Sequence, residues 1–254
     1  MGLGCMGMSG VYGETDRKES ISTIHAALEA GINLLDTGDF YGMGHNELLI
    51  RDALLGYQRE KAFIAVKFGA LRTPDGAWSG YDSRPQAMKN FLAYTLQRLN
   101  VDYIDLYQPA RIDPNVPIEE TVGAIADMVK AGYVRYIGLS EAGEETIRRA
   151  HKVHPISWLQ IEYSLFSRNV EAKILPTLRE LGISLSAYGI FSRGLLSGVW
   201  DKNRLSNRND ARNLSAILLF EHWCISNGVG PKGPEFQEKN KYIRSPIIKQ
   251  RSIN

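Results

Sequence analysis

A regular alternation between short apolar runs and amphipathic segments continues through most of the chain and constrains its fold more than any other feature. The runs are continuously apolar, which is typical of the strands of a parallel sheet covered by helices. The segments between them repeat apolar residues at helical spacing, as Ile21, Ile24 and Leu28 do. The pattern predicts an α/β fold of repeated strand–helix units.

Seven strands are predicted, and each later strand is reached through a helical crossover. After a short first strand, the strands span residues 32–36, 62–67, 103–107, 134–139, 158–161 and 183–188. The helices span 16–29, 46–57, 85–99, 118–131, 144–151 and 170–181, and a long loop lies between the third strand and the third helix. A parallel (β/α)8 barrel, the TIM barrel, is the commonest way to close such a set at about this length.

The eighth strand is not visible in the sequence. Residues 213–225 are apolar in part but have no clear period, and residues 228–254 are rich in Lys, Gly and Pro, as in loops and frayed tails. Either the barrel closes with an atypical strand or it is incomplete. We expect one barrel domain over residues 1–254, recognisable over 2–198, with an atypical tail over 199–254.

Composition excludes several classes of function. The 30 basic and 28 acidic residues are spread along the chain and give a net charge of +2, so we expect neither nucleic acid nor a membrane surface as a partner. Cys5 and Cys224 lie in no ligand spacing, which predicts no disulfide framework and no metal site. No export leader and no run of roughly 20 apolar residues occurs, so we expect a cytoplasmic protein.

Residues 2–7 read GLGCMG, which matches the dinucleotide-binding fingerprint letter for letter. That fingerprint requires a strand before it and a helix that begins on it, but only Met1 precedes it here. A short first strand that enters a Gly-rich turn is the favoured interpretation. A Rossmann dehydrogenase, with its ligand near residues 2–7, remains an alternative.

Polar side chains follow the first two long apolar runs. Asp36 and Tyr41 come at the end of one, and Lys67 closes the next. Parallel barrel strands all open on one face, so these residues are expected to meet there. A free tyrosine has a pKa of about 10, and a nearby ammonium lowers it. With Asp36 holding Lys67 charged and oriented, the trio suits protonation of a carbonyl oxygen.

A bland interpretation stands beside this one, because a lone Asp, Tyr or Lys is far more often a surface or capping residue than a catalyst. Three of them at successive strand ends are harder to dismiss. A reduction also needs a nicotinamide cofactor, since no side chain donates hydride. Ser140 and Gln160 can hydrogen-bond its amide, Tyr188 can stack on its ring, and residues 192–198 offer backbone donors and a cation for a pyrophosphate.

Together these segments resemble the aldo-keto reductases, in the branch that includes channel-associated β-subunits and many bacterial reductases. The matching segments are GLGCMGMS at 2–9, LDTGDFYG at 35–42, GHNE at 44–47, VKFG at 66–69, DYIDLYQ at 102–108, GYVRYIGLS at 132–140, QIEYS at 160–164 and AYGIFSRGLLSG at 187–198. They run in family order. The resemblance implies a (β/α)8 barrel that reduces aldehydes or ketones with NADPH.

The resemblance also implies residue roles. Tyr41 is similar to the family's proton donor, with Asp36 and Lys67 as its supporting pair. For the cofactor, the resemblance implies that Ser140 and Gln160 contact the carboxamide, that Tyr188 stacks on the nicotinamide, and that Arg193, Gly194, Leu196 and Gly198 lie over the pyrophosphate.

Three departures from the family pattern qualify this assignment. Ala110 stands where the family usually has a histidine that orients the carbonyl, and Glu141 stands where it often has asparagine. The N-terminal hairpin is absent, and the last strand with the helix that binds the 2′-phosphate is not recognisable. Two functions therefore stand: an NADPH-dependent reductase of small aldehydes or ketones, and a weak or inactive NADPH-binding barrel that acts as a sensing or interaction subunit.

Overall fold

The computed structural model describes residues 1–192 of the chain. The strands are β1 Gly2–Gly4, β2 Leu34–Gly38, β3 Phe63–Phe68, β4 Ala70–Arg72, β5 Trp78–Tyr81, β6 Ile104–Pro109, β7 Val134–Ser140, β8 Trp158–Glu162 and β9 Ser184–Tyr188. The helices are α1 Arg17–Glu29, α2 His45–Ala53, α3 Pro85–Leu99, α4 Ile118–Lys130, α5 Glu144–Val153 and α6 Ile174–Leu181. Single 3-10 turns cover Met6–Ser9, Tyr41–Gly44, Arg59–Lys61 and Asn169–Glu171.

Seven of the strands form one parallel sheet in the order β1-β2-β3-β6-β7-β8-β9. Each crossover thus moves one position along the sheet in the same direction, which is the order of a (β/α)8 barrel. The predicted fold class is confirmed for the described residues. The tail over 199–254, where the sequence shows no clear eighth strand, lies outside them.

Because the strands are parallel, their carboxyl ends all lie at the same end of the sheet. Gly38 of β2 pairs with Lys67 of β3, which pairs in turn with Gln108 of β6. Farther along, Ser140 of β7 pairs with Gln160 of β8. The polar residues that end these strands therefore lie in neighbouring rows.

Apolar strand residues supply the centre of the core, where Leu35, Ile64, Leu106, Ile137 and Leu159 are fully buried. Each such side chain contributes about 1.5–3 kcal/mol when it is removed from water. Helices cover the sheet with the apolar faces that their spacing predicts, and their ends carry the expected signals. The Asp16 carboxylate, for example, accepts a 2.8 Å hydrogen bond from the Glu19 amide at the start of α1.

An ion cluster around the buried Asp105 carboxylate lies at the other end of the strands. The Asp105 carboxylate, at the start of β6, accepts hydrogen bonds from Arg59 Nη2 at 2.7 Å, Arg135 Nη1 at 3.1 Å and the Ile64 amide at 2.9 Å. Both guanidinium groups also lie over the Tyr103 ring, 4.3 and 3.8 Å from its centroid. Four segments, the turn before β3 and strands β3, β6 and β7, are thereby joined at the amino ends of the strands.

The structure differs from the sequence predictions in three places. The predicted loop after the third strand contains a hairpin of β4 and β5, which the sequence does not signal because both strands are short and β5 is exposed along its whole length. Helix α2 ends at Ala53 rather than near residue 57. The predicted helix over 170–181 is split into a 3-10 turn and α6.

Candidate active site

A cleft of about 540 Å³ opens at the carboxyl ends of the strands. Six of the predicted site residues line it together: Asp36, Tyr41, Lys67, Ser140, Gln160 and Tyr188. They come from β2 and the turn after it, β3, β7, β8 and β9. The four other predicted residues, Arg193, Gly194, Leu196 and Gly198, lie outside the described residues.

Tyr41 begins a tight turn that joins β2 to α2. The next three residues, Gly42, Met43 and Gly44, have positive φ angles of 57°, 52° and 93°. Such left-handed backbone is open to glycine but costs other residues about 1–2 kcal/mol. Helix α2 starts at His45, directly after the turn. The Tyr41 side chain is held with only 7% of its surface exposed.

Asn46 ties this turn to β2 and to the segment that follows β1. The buried Asn46 side chain accepts a 2.6 Å hydrogen bond from the Thr37 hydroxyl and donates to the Cys5 carbonyl and the Ser9 hydroxyl, both at 2.8 Å. The Ser9 hydroxyl is also 3.0 Å from His45 Nδ1. Sequence reasoning missed this role, although Asn46 lies in the GHNE segment that carries the family resemblance.

Two acidic residues, the fully buried Glu47 and the partly buried Asp39, lie near the same turn. Glu47 is fully buried, and its carboxylate is paired with the Arg98 guanidinium of α3. The Gly69 amide donates a long, 3.4 Å hydrogen bond to the Asp39 carboxylate. Burial, assisted by the negative charge of Glu47, raises the pKa of Asp39 to about 7. Arg98 is thus the cation that holds this cluster together.

Lys67 and Asp36 form a close ion pair in the cleft wall. The Lys67 ammonium, 5% exposed, donates to Asp36 Oδ1, while Gln160 Nε2 donates to Asp36 Oδ2 at 2.8 Å. Burial lowers the pKa of Lys67, but Asp36 and Tyr41 together raise it more, so that this pKa lies above its ordinary value. Lys67 therefore remains an ammonium at neutral pH.

The Tyr41 ring lies beside that ammonium, with Lys67 Nζ 5.3 Å from the ring centroid. Burial raises the pKa of Tyr41 to about 12, and the charge and hydrogen bond of Lys67 lower it only in part. The expectation of a net lowering is wrong because loss of water outweighs the ammonium. Tyr41 is consequently protonated throughout the neutral range.

Ala110 closes the cleft on the side of Tyr41. It is 2% exposed and packs in a small apolar cluster with Phe40, Tyr41, Ala70 and Met6. The cluster contains one hydrogen-bonding side chain, that of Tyr41. This wall is apolar at the position where the resemblance implies a histidine.

The part of the cleft formed by β7, β8 and β9 carries an amide and a hydroxyl from neighbouring strands. Ser140, 1% exposed, and Gln160 pair across β7 and β8, and Tyr188 ends β9. Glu141, whose φ is 55°, accepts a 2.9 Å hydrogen bond from the Glu162 amide. Burial, followed by a hydrogen bond with Glu141, raises the pKa of Tyr188. Hydrogen-bonding groups beside a ring suit a flat, amide-bearing ligand such as a nicotinamide.

Two kinds of feature are absent from residues 1–192. Within that range, no three His, Cys, Asp and Glu side chains converge as metal ligands would. In the same range, every helix is too short or too polar to cross a bilayer.

Comparison with protein families identifies the family to which the chain belongs. The model of the aldo/keto reductase family matches residues 1–233. The chain belongs to the aldo-keto reductase family. It is 46% identical over 201 residues to the probable aldo-keto reductase 1 of Glycine max, and the match covers 78% of this chain and 57% of that protein.

Solved aldo-keto reductases share the fold. The glycerol dehydrogenase of Gluconobacter oxydans matches with a TM-score of 0.75 and 31% identity, over 84% of this chain and 66% of that one. The holo form of an aldo-keto reductase from Bacillus halodurans matches with a TM-score of 0.69 and 34% identity, over 77% and 63% of the two chains. The chain spans less than two thirds of the length of these relatives.

Proposed function

We propose that this oxidoreductase reduces aldehydes or ketones to alcohols with NADPH and that Tyr41 is the proton donor. The observation that carries the proposal is the convergence of Asp36, Lys67 and Tyr41 in one cleft, with Lys67 joined to Asp36 and adjacent to the Tyr41 ring. A buried phenol next to a fixed ammonium is an acid whose conjugate base is stabilised where it forms.

Each member of the trio has a distinct task. Tyr41, protonated at neutral pH, donates its proton to the carbonyl oxygen as that oxygen gains negative charge. Lys67 stabilises the resulting phenolate, and Asp36 keeps Lys67 charged and in place. Because Ala110 supplies no second donor, the Tyr41 hydroxyl alone orients the carbonyl from this wall of the cleft.

NADPH would supply the hydride. We propose that Ser140 and Gln160 hold its carboxamide and that Tyr188 packs on its ring, because these three line the cleft and offer the required donors, acceptors and flat surface. Arg193, Gly194, Leu196 and Gly198 are proposed to bind the pyrophosphate from the sequence resemblance alone.

A second candidate is a weak or inactive NADPH-binding barrel with a sensing or interaction role. The apolar wall at Ala110 favours it, because loss of one hydrogen bond to a developing oxyanion costs enzymes about 100- to 1000-fold in kcat. Under this alternative the cofactor binds, but turnover remains at the background level.

The two candidates are separated by one series of measurements on the full chain. NADPH is first titrated while its fluorescence is followed, and oxidation is then timed after addition of a small aldehyde. The reductase should bind NADPH and turn over, and Tyr41→Phe should keep binding while kcat falls by about 100-fold or more. Binding without turnover supports the second candidate, and unchanged turnover in Tyr41→Phe contradicts the role of Tyr41.

A further inference from the structure

Arg72 differs from most arginines of the described residues because it has no acidic partner. Nine arginines are in ion pairs: Arg17, Arg51, Arg59, Arg84, Arg98, Arg135, Arg148, Arg149 and Arg168. Within residues 1–192, no carboxylate comes within 4.0 Å of the Arg72 guanidinium. Its nearest acid along the chain, Asp75, instead accepts hydrogen bonds from Thr73 and the Ala77 amide.

The Arg72 side chain is nonetheless held in a fixed place. Its guanidinium lies over the Trp78 ring, 3.5 Å from the centroid, and Nη1 donates to the Gly76 carbonyl at 3.0 Å. Both contacts are within the hairpin of β4 and β5. Stacking on an aromatic face leaves the edge of a guanidinium, with its remaining N–H groups, available to a ligand.

This hairpin brings Arg72 close to the proposed proton donor. Trp78 contacts Phe40, with ring centroids 5.6 Å apart, and Phe40 meets Tyr41 edge-on at 4.8 Å. A second cavity of about 310 Å³ is lined by Arg72 as well as by Tyr41, Phe40 and Trp78. Those three aromatic residues also line the main cleft, so the two cavities share a wall.

We propose that Arg72 binds a carboxylate at the far end of the carbonyl substrate, so that the protein prefers aldehyde acids to uncharged aldehydes. The inference rests on the proposed reductase function. A planar guanidinium binds a carboxylate through two parallel hydrogen bonds, and these are stronger than bonds between neutral groups. Among the described residues that line the second cavity, Arg72 is the only charged one, which suits a singly charged group better than a phosphate.

Burial gives a further reason for a ligand anion. Partial removal from water lowers the pKa of Arg72, which is the sign of a cation that has lost hydration without gaining a counter-charge. An anionic substrate group would provide that counter-charge.

Arg111 is a second arginine near the proposed site and is assigned differently. It lines the larger cavity, donates to the Ala110 carbonyl at 2.6 Å, and its charge lowers the pKa of Tyr188. It therefore lies toward the wall proposed for the cofactor, whereas Arg72 lines the cavity beside the Tyr41 turn.

The test compares aldehyde acids of increasing chain length with their methyl esters, which are uncharged. Wild-type protein should show a lower KM for the acid than for its ester at the length that spans from Tyr41 to Arg72. Arg72→Met should raise KM for that acid by about tenfold or more, with KM for the ester unchanged, because only the charge-assisted bond is lost. Arg72→Lys, which keeps the charge, should restore part of the preference.

Arg179→Met is the matched control. Arg179 also has no ion-pair partner among the described residues, but it is exposed on α6 and should leave both KM values unchanged. The proposal is overturned if acids and esters are reduced equally at every length, or if Arg72→Met weakens both alike, which would indicate a role in hairpin structure only.

Failure of the reductase function gives a different result. Wild-type protein would then reduce none of the aldehydes, acids and esters alike. In that case, calorimetric titration with benzoate and with uncharged benzamide still tests Arg72. Selective benzoate binding that Arg72→Met abolishes supports the anion site, and equal or absent binding of the two compounds rejects it.

Discussion

Gln160 Nε2 donates a 2.8 Å hydrogen bond to Asp36 Oδ2, joining residues 124 positions apart. The other oxygen of the same carboxylate binds Lys67. Asp36 is therefore shared between the ammonium that supports Tyr41 and the amide proposed to hold the cofactor. A change at Gln160 should consequently alter the surroundings of Lys67 and Tyr41 as well.

Gln160→Glu tests this coupling. The introduced carboxyl would meet Asp36 at hydrogen-bond distance in a site where Gln160 is 7% exposed, so repulsion and burial should raise the pKa of the new group above its ordinary value. A carboxyl whose pKa is raised in the folded state contributes stability below its unfolded-state pKa. This contribution is lost as pH rises through the folded-state pKa. We expect a loss of about 1–3 kcal/mol in unfolding free energy at pH 8 and a smaller loss near pH 5.

Denaturant unfolding at both pH values measures the effect of Gln160→Glu, and Gln160→Met serves as its control. Methionine removes the hydrogen bond without adding a charge, so its stability loss should be the same at the two pH values. An equal loss at both pH values in Gln160→Glu as well would show that Asp36 and position 160 are not electrostatically coupled.

Asp39 gives wild-type stability a pH dependence of its own. Its pKa is raised from 3.8 to about 7 by burial and by Glu47, so the folded state keeps a proton that the unfolded state releases above pH 4. This contribution is present below about pH 4 and lost as pH rises through 7. Asp39→Asn should therefore leave stability near pH 4 unchanged and raise it by about 1–3 kcal/mol at pH 8.

Urea unfolding across this pH range measures the gain, and Asp75→Asn is the comparison. Asp75 is exposed, and a hydrogen bond from Thr73 lowers its pKa, so its replacement should give no gain that grows with pH. The prediction for Asp39 is wrong if Asp39→Asn and wild type differ by the same amount at pH 4 and pH 8.

Gly44→Ala tests the support of the Tyr41 turn. A Cβ at Gly44, where φ is 93°, would lie 2.8 Å from Arg98 Cδ, and displacement of Arg98 would leave Glu47 buried without its cation. Gly132→Ala is a matched control, since its φ is 86° but no atom lies within 4 Å of the added Cβ. We expect Gly44→Ala to cost about 1–3 kcal/mol more than Gly132→Ala.

Thermal unfolding of the two glycine variants measures that difference, and reductase activity provides a second readout. Only Gly44→Ala should also lower kcat, because only that change displaces the segment that bears Tyr41. Equal losses in the two variants would mean that Arg98 adjusts without disturbing Glu47.

The sequence predicted the repeated strands and helices well because they depend on local apolar spacing. Helix α3 begins and ends where predicted, at Pro85 and Leu99, and β9 differs from its prediction by one residue. The hairpin that carries Arg72 and Trp78 was missed because both strands are too short to show a period and β5 is exposed along its whole length. Its pairing is irregular too, with a register shift between Leu71 and Arg72.

Site residues were easier to name than their environment. Because Asp36, Tyr41 and Lys67 follow or end strands, the sequence could place them on one face. The pKa of Tyr41, however, depends on how far the assembled cleft excludes water, and no local motif encodes that. The bond between Gln160 and Asp36 depends likewise on curvature that brings β8 across to β2. Long-range packing of this kind is a property of the curved sheet as a whole.

Strand β6 has opposite duties at its two ends. Asp105 joins Arg59, Arg135 and the Ile64 amide at one end, while Ala110, directly after the other end, faces the cleft. The residue that stabilises the fold and the residue that shapes the cleft are therefore five positions apart in one short segment. Variants at position 110 alone can therefore change which substrates are accepted, while the stabilising contacts of Asp105 stay unchanged.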